Sequence, residues 1–220
     1  MKLRYGFGFL SILMVFAGAG QAASIAVVNS SFELPVLPDG AVGAAAGWTA
    51  AGAAFAHNPT ATELPGGPPD GAQVLFLQGT ANASQTLGAV LTAGTIYTLL
   101  VDVGSRADFN FIFGYQINLE AGATVLASAN SPIPANGSFL TASIQYMALA
   151  GDPNLGQPLG IRLSNVPSGS STAFMDNVRL DASATGVPEP GYAPLLPVLA
   201  LAAITVYRRR IRSVIAGRAS

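Results

Sequence analysis

The sequence predicts an all-β protein, an antiparallel β-sandwich of jelly-roll type, placed between an N-terminal signal peptide and a single C-terminal transmembrane helix. Three observations carry that expectation. Several stretches alternate between apolar and polar residues with period two, the mark of strands with one buried face. The 25 glycines and 15 prolines are spread between apolar runs and interrupt the chain too often for long helices. The charges are segregated: Lys2 and Arg4 open the chain, Arg208, Arg209, Arg210, Arg212 and Arg218 close it, and only Arg106, Arg162 and Arg179 stand between them against ten acids from Glu33 to Asp181. An acidic middle with basic ends is a statement of topology and argues against nucleic acid as a partner. With 50% hydrophobic and 10% charged residues, the chain is neither a disordered acidic segment nor a charge-laced coiled coil.

Residues 1–22 have the three parts of a signal peptide. Lys2 and Arg4 precede an apolar stretch from Leu3 to Gly18, and small residues follow. Gly20 and Ala22 supply the small side chains that signal peptidase requires, so cleavage is expected after Ala22, with Ala19 as the alternative.

Residues 23–186 form the expected sandwich domain. Val74 to Leu77 is apolar on both faces and suits a central strand. Inward rows are expected from Tyr97, Leu99, Val101 and Val103, and from Phe111, Phe113, Tyr115, Ile117 and Leu119. Further rows come from Leu140, Ala142, Ile144 and Tyr146, from Leu159, Ile161 and Leu163, and from Phe174, Val178 and Leu180. Turn signals separate the runs, among them Pro68-Pro69-Asp70-Gly71, Ala135-Asn136-Gly137 and Asp152-Pro153-Asn154. The spacing gives eight or nine short strands.

Few side chains in this domain carry a chemical signal. Asp176 falls in register with Phe174, Val178 and Leu180, which aims its carboxylate at the core. A buried carboxylate needs a cation or several donors, so Asp176 binds a metal, caps backbone amides, or pairs with Arg162 or Arg179. Trp48, the single tryptophan, follows Gly47 and reads as a core plug. His57, the single histidine, lies in an alanine-rich stretch and reads as a solvated loop residue. Arg106 and Asp108 read as a surface ion pair between two strands. The absence of cysteine excludes disulfides and thiolate metal sites. No Gly-x-Ser-x-Gly elbow, His-Glu-x-x-His or Walker loop is present, and the middle has no lysine for Schiff-base chemistry, so no enzyme is expected.

The carboxyl end has its own pattern. Val187-Pro188-Glu189-Pro190 leads into an uncharged helix over 191–207, then Arg208, Arg209, Arg210 and Arg212, and a short cytoplasmic tail over 213–220. Seventeen residues rise about 26 Å as a helix against a ~30 Å hydrocarbon layer, and the flanking Tyr192 and Tyr207 and the arginines cover the difference. The arginines hold that end in the cytoplasm, leaving 23–186 outside.

That order over 187–212 closely resembles the PEP-CTERM sorting signal of exported proteins in Gram-negative bacteria, which exosortase reads. The resemblance implies signal peptidase and exosortase as partners and a membrane-anchored precursor that passes to the cell surface or beyond. It further implies a non-catalytic surface or matrix protein associated with exopolysaccharide. A second resemblance spans the domain. Asn29-Ser30-Ser31-Phe32-Glu33, Gly47-Trp48 and Asp176-Asn177-Val178-Arg179-Leu180 resemble carbohydrate-binding jelly rolls related to galactose-binding domains. It implies that the opening segment lies beside the closing strand, that a structural calcium takes oxygen from Glu33 and Asp176, and, as the alternative function, a lectin-like glycan-binding module.

Overall fold

A computed structural model describes residues 22–108, 114–166 and 171–185. The expected signal segment up to residue 21, Phe111 and Phe113 lie outside the described residues, as do Val187, Pro188, Glu189, Pro190, the segment 191–207 expected as a helix and the arginines after it.

The described residues form ten strands and no helix: β1 (Ala23–Ile25), β2 (Val42–Gly43), β3 (Thr49–His57), β4 (Val74–Val90), β5 (Thr95–Gly104), β6 (Tyr115–Ala121), β7 (Thr124–Ala129), β8 (Phe139–Ala148), β9 (Pro158–Asn165) and β10 (Thr172–Ala184). All pairings are antiparallel, in the order β7-β6-β9-β4-β10-β5-β8, with β3 along β4 and β1 on β10. β4 joins the two layers. Its residues Leu75–Gln78 pair with β10, whereas Asn82–Thr86 and Val90 pair with β9. Gly79 stands at the switch with φ +65°, a conformation that an L side chain resists, and lets the strand change partners there.

The layers close on one apolar core. Leu75 and Leu77, Tyr97 to Val103 in alternation, Tyr115, Ile117 and Leu119, and Leu159, Ile161 and Leu163 are buried in a single cluster. The inward rows read for β5 and β9, and the Tyr115, Ile117 and Leu119 part of the row read for β6, therefore face the core as the sequence has them. Trp48 plugs the core as expected, stacked on Phe32 at 5.2 Å with its Nε1 donating to the Asn29 carbonyl.

The closing strand differs. Phe174, Val178 and Leu180 do not form one inward row, because a bulge lies between Asp176 and Arg179. Asp176 pairs with Asp102, Arg179 with Leu100 and Leu180 with Leu99, so three steps on β10 oppose two on β5. The extra residue is taken up at Asn177 (φ 50°) and turns the strand over. Val178 and Leu180 face the core, while Phe174 and Asp176 face the opposite side of the sheet.

The opening segment lies beside β10, but as a turn. Asn29 and Phe32 have positive φ, and the Val178 amide donates to the Ser30 carbonyl at 2.9 Å. Two glutamines tie this segment to the sheet. The Gln85 amide group bonds Val28 N, Val28 O and Gly47 O, and Gln73 bonds Phe32 O, Pro35 O and Leu37 N. Each replaces backbone partners that an irregular segment would otherwise lack.

Candidate functional site

The outer face of the layer β3-β4-β10-β5-β8 carries an aromatic row. Cross-strand register places Phe55 opposite Phe76, Phe76 opposite Phe174, Phe174 opposite Gly104, and Gly104 opposite Phe139. A side chain at Gly104 would come within 2.4 Å of the Phe139 ring, so the glycine lets Phe139 lean across β5. The Phe76 and Phe174 rings lie 5.9 Å apart at 55°, the tilted geometry that aromatic pairs favour. Leu64, from the β3–β4 loop, buries Phe174 and Val74, and Phe76 and Phe139 pack around them half-buried.

One end of the row is charged and largely sealed. His57, 4% exposed, has its ring 5.7 Å from Phe76 and 6.0 Å from Phe174. Its Nδ1 faces the Ala41 carbonyl at 3.0 Å and its Nε2 faces both Glu63 oxygens at 3.2 Å. Arg106 bonds Glu63 at 2.9 Å, grips Asp108 through Nε and a terminal nitrogen, and sits 5.9 Å over the Phe76 ring. Burial pushes the Glu63 carboxyl up, but the Thr60 amide and hydroxyl, His57 and Arg106 outweigh it and hold the group below the usual carboxylate range. The Arg106 hydrogen bonds likewise lower Asp108. His57 is thus not a solvated loop residue. It ends β3 on the same face as Phe55, under the loop that carries Glu63. Arg106 and Asp108 do pair, with Glu63 as a third member.

The other end is acidic. Asp102 lies across from Asp176 and lines a pocket of about 220 Å³ with Pro69, Phe139, Leu140 and Thr141. Its oxygens accept from Thr141 at 2.6 Å, Asn177 at 2.9 Å and Arg179 at 3.3 Å. Asp176 is fully buried, accepting from the amides of Asp70 and Asn177. Burial pushes its carboxyl up to about 8, the two amides oppose the rise, and the charges of Asp70 and Asp102 add to it.

Of the expected partners of Asp176, backbone amides are therefore present. Arg162 instead pairs Glu120 at 2.8 Å, and Arg179 pairs Asp102. Glu33 accepts from the amides of Ala72 and Gln73, so Glu33 and Asp176 grip one loop, Asp70 to Gln73, from two sides. Ser31 bonds the Asp70 carboxylate in the same place at 2.6 Å. Among the described residues no three histidine, cysteine or acidic side chains gather into a metal-holding group. The carboxylate oxygens of Glu33 and Asp176 are of the kind that a hard cation such as calcium takes.

A family model described as HpiC1-like, HpiC1 cyclase, matches residues 23–181. Among solved structures, the Stig cyclase FisC of Fischerella sp. TAU, in complex with (3Z)-3-(1-methyl-2-pyrrolidinylidene)-3H-indole, is 30% identical with a TM-score of 0.68, covering 74% of this chain and 99% of that one. A Fischerella sp. TAU cyclase in complex with 4-(1H-indol-3-yl)butan-2-one is 30% identical with a TM-score of 0.65, covering 74% and 98%. An apo-form cyclase of Fischerella sp. is 31% identical with a TM-score of 0.65, covering 73% and 96%. Among curated proteins none matches. These matches overturn the expected function. They point to a cyclase role in place of an exosortase-processed, non-catalytic matrix protein, and the lectin-like alternative gives way with it. The expectation of no enzyme fails for a chemical reason: the motifs sought were those of nucleophiles, metals and phosphates, whereas this family is one of cyclases.

Proposed function

Because the chain belongs to the HpiC1-like cyclase family, we propose that it closes a ring within a flat, electron-rich aromatic substrate of the indole class, held against Phe55, Phe76 and Phe139 with Asp102 at its edge. The carrying observation is the aromatic row itself, three half-buried rings beside a carboxylate-lined pocket on one sheet face. Ring faces stack with an indole, and they stabilise positive charge that develops as a ring closes. Asp102 would act on the same charge. Its three donors fix its position before reaction, so no reorganisation is needed when the cation forms.

The ligands of the Fischerella cyclases motivate the probe, 4-(1H-indol-3-yl)butan-2-one. Calorimetry should register its binding to the wild type and at least tenfold weaker binding to Phe76→Ala. Asp102→Asn should bind within about threefold of wild type, yet lose conversion of a panel of alkenyl indoles into ring-closed isomers of unchanged mass. Equal binding by Phe76→Ala, or undiminished ring closure by Asp102→Asn, would sink the assignment. The segregated charge supports a domain working outside the inner membrane, which remains part of the proposal. So does a structural calcium at Glu33 and Asp176, motivated by the buried carboxylate and the all-oxygen surroundings.

A further inference from the structure

We propose that His57 is held as an imidazolium and, in that form, is the positioning residue that locks the roof of the aromatic site. The inference rests on hydrogen-bond geometry and, for its link to a ligand, on the cyclase reading above.

A carbonyl oxygen can only accept, so the nitrogen facing Ala41 O carries a proton. An ionised carboxylate can also only accept, so the nitrogen facing both Glu63 oxygens carries the second. A neutral imidazole has one proton for these two places. Glu63 is kept ionised by the Thr60 amide at 2.7 Å, the Thr60 hydroxyl at 3.0 Å and Arg106 at 2.9 Å. The ring also packs against Phe76 and Phe174, which together with it form one aromatic cluster.

The clamp joins three otherwise separate segments. His57 ends β3, Ala41 precedes β2, and Glu63 sits in the β3–β4 loop. That loop holds the next one, because the Ala107 amide donates to the Glu63 carbonyl at 2.8 Å and Arg106 pairs with the Glu63 side chain. Loss of the second proton turns the Nε2–Glu63 contact into lone pair against anion, and the segments part at the charged end of the aromatic row. The charged groups on the surrounding elements are Glu63, Arg106, Asp108, the exposed Asp39 on the Ala41 loop, and Asp176 two residues beyond Phe174. Asp108 is neutralised by Arg106, and Asp176 is shielded by amides, so Glu63 is the partner that decides the state of His57.

The chain has one histidine, which makes the test direct. In the 15N-labelled wild-type chain at neutral pH, the two ring nitrogens should resonate close together, as in an imidazolium, and both should keep their protons. In Glu63→Gln, which removes the anion facing Nε2, the ring should be neutral, with widely separated nitrogens. His57→Gln should lower the exchange protection of the Thr60 and Ala107 amides at least tenfold, and the affinity for 4-(1H-indol-3-yl)butan-2-one should fall in step. A neutral ring at pH 7 in folded wild type, or amide protection unchanged in His57→Gln, overturns the proposal. These two readouts need no ligand, so a probe that fails to bind while they behave as expected counts against the indole reading alone.

Discussion

Asp176→Asn offers a stability measurement whose sign and size follow from the site. The carboxyl is fully buried and pushed up to about 8, whereas in the unfolded chain it titrates near ~3.9. Between those values the folded protein holds a proton that the unfolded chain has released. Its contribution to stability is thus complete below about pH 4 and is lost as the pH rises through about 8. The slope is roughly 1.4 kcal/mol per pH unit, and the whole window of about four units amounts to about 5 to 6 kcal/mol, a large share of a typical ~5 to 15. Asparagine has nothing to titrate. It keeps one carbonyl oxygen where the carboxyl offers one to each of Asp70 N and Asn177 N, and leaving one amide unmatched costs about 1 to 3 kcal/mol. Urea unfolding in chelator should therefore show a wild type that weakens steadily from about pH 5 to 8 and a variant that is flatter, so that the wild type leads at the acid end and the order reverses toward pH 8. Calcium, if it binds only the folded state, adds RT ln(1 + [L]/Kd), and it should add more near pH 8, where it replaces the proton, than near pH 5. A wild type whose unfolding midpoint in chelator is constant across the window would refute the account of the buried carboxyl. A calcium effect that survives unchanged in Asp176→Asn would remove this residue from the metal site.

Three further outcomes are expected. Gln73→Ala should cost about 3 kcal/mol in denaturant unfolding, because it strands Phe32 O, Pro35 O and Leu37 N together. Gly104→Ala should weaken indole binding by pushing the Phe139 ring aside, and calorimetry on a variant with native circular dichroism should register the loss. A reporter enzyme fused after Asp181 should be active only as a periplasmic type, and activity of a cytoplasmic reporter there would contradict the export proposal.

Much of the fold was legible because a half-buried strand writes its burial into alternate residues. Ile117 and Leu119, Leu99 and Val101, and Ile161 and Leu163 are buried where the alternation put them. The site was not legible for two physical reasons. Its parts lie on β3, β4, β5, β8 and β10, and no spacing within one segment brings Phe55, Phe76, Phe139 and Phe174 together; only the pairing order does. The proposed chemistry also leaves no spaced motif. Stacking an aromatic substrate and steadying a cation need ring faces and one carboxylate, and these residue types are ordinary core and surface material elsewhere. His57 shows the same difficulty on a small scale. Residues 50–56 contain five alanines, which blur the alternation that would have put Phe55 and His57 on one face.

The bulge at Asp176 explains why one strand serves both the core and the site. Phe174 and Asp176 would share a face with Val178 and Leu180 if β10 ran straight, and all four would compete for the same apolar interior. A carboxyl there would meet Leu99 and Val101 and find no donor. One extra residue at Asn177 sends the carboxyl to the side where the Asp70 amide is waiting, and it sends Asn177's own side chain to Asp102. The same step returns Val178 and Leu180 to the core cluster. β4 makes the complementary change at Gly79, passing from β10 to β9. The two irregularities therefore divide the sheet, giving the first half of each strand an outer face with the aromatic row and the second half to the sandwich. Closing the bulge by deleting Asn177 should cost more than any single substitution in the row, since it would turn either Asp176 or Leu180 to the wrong side. Which of the two turns is decided by energy: an unpaired buried carboxyl costs more than an exposed leucine, so Leu180 should leave the core, and its loss from the protected amides in hydrogen exchange is the measurement that checks it.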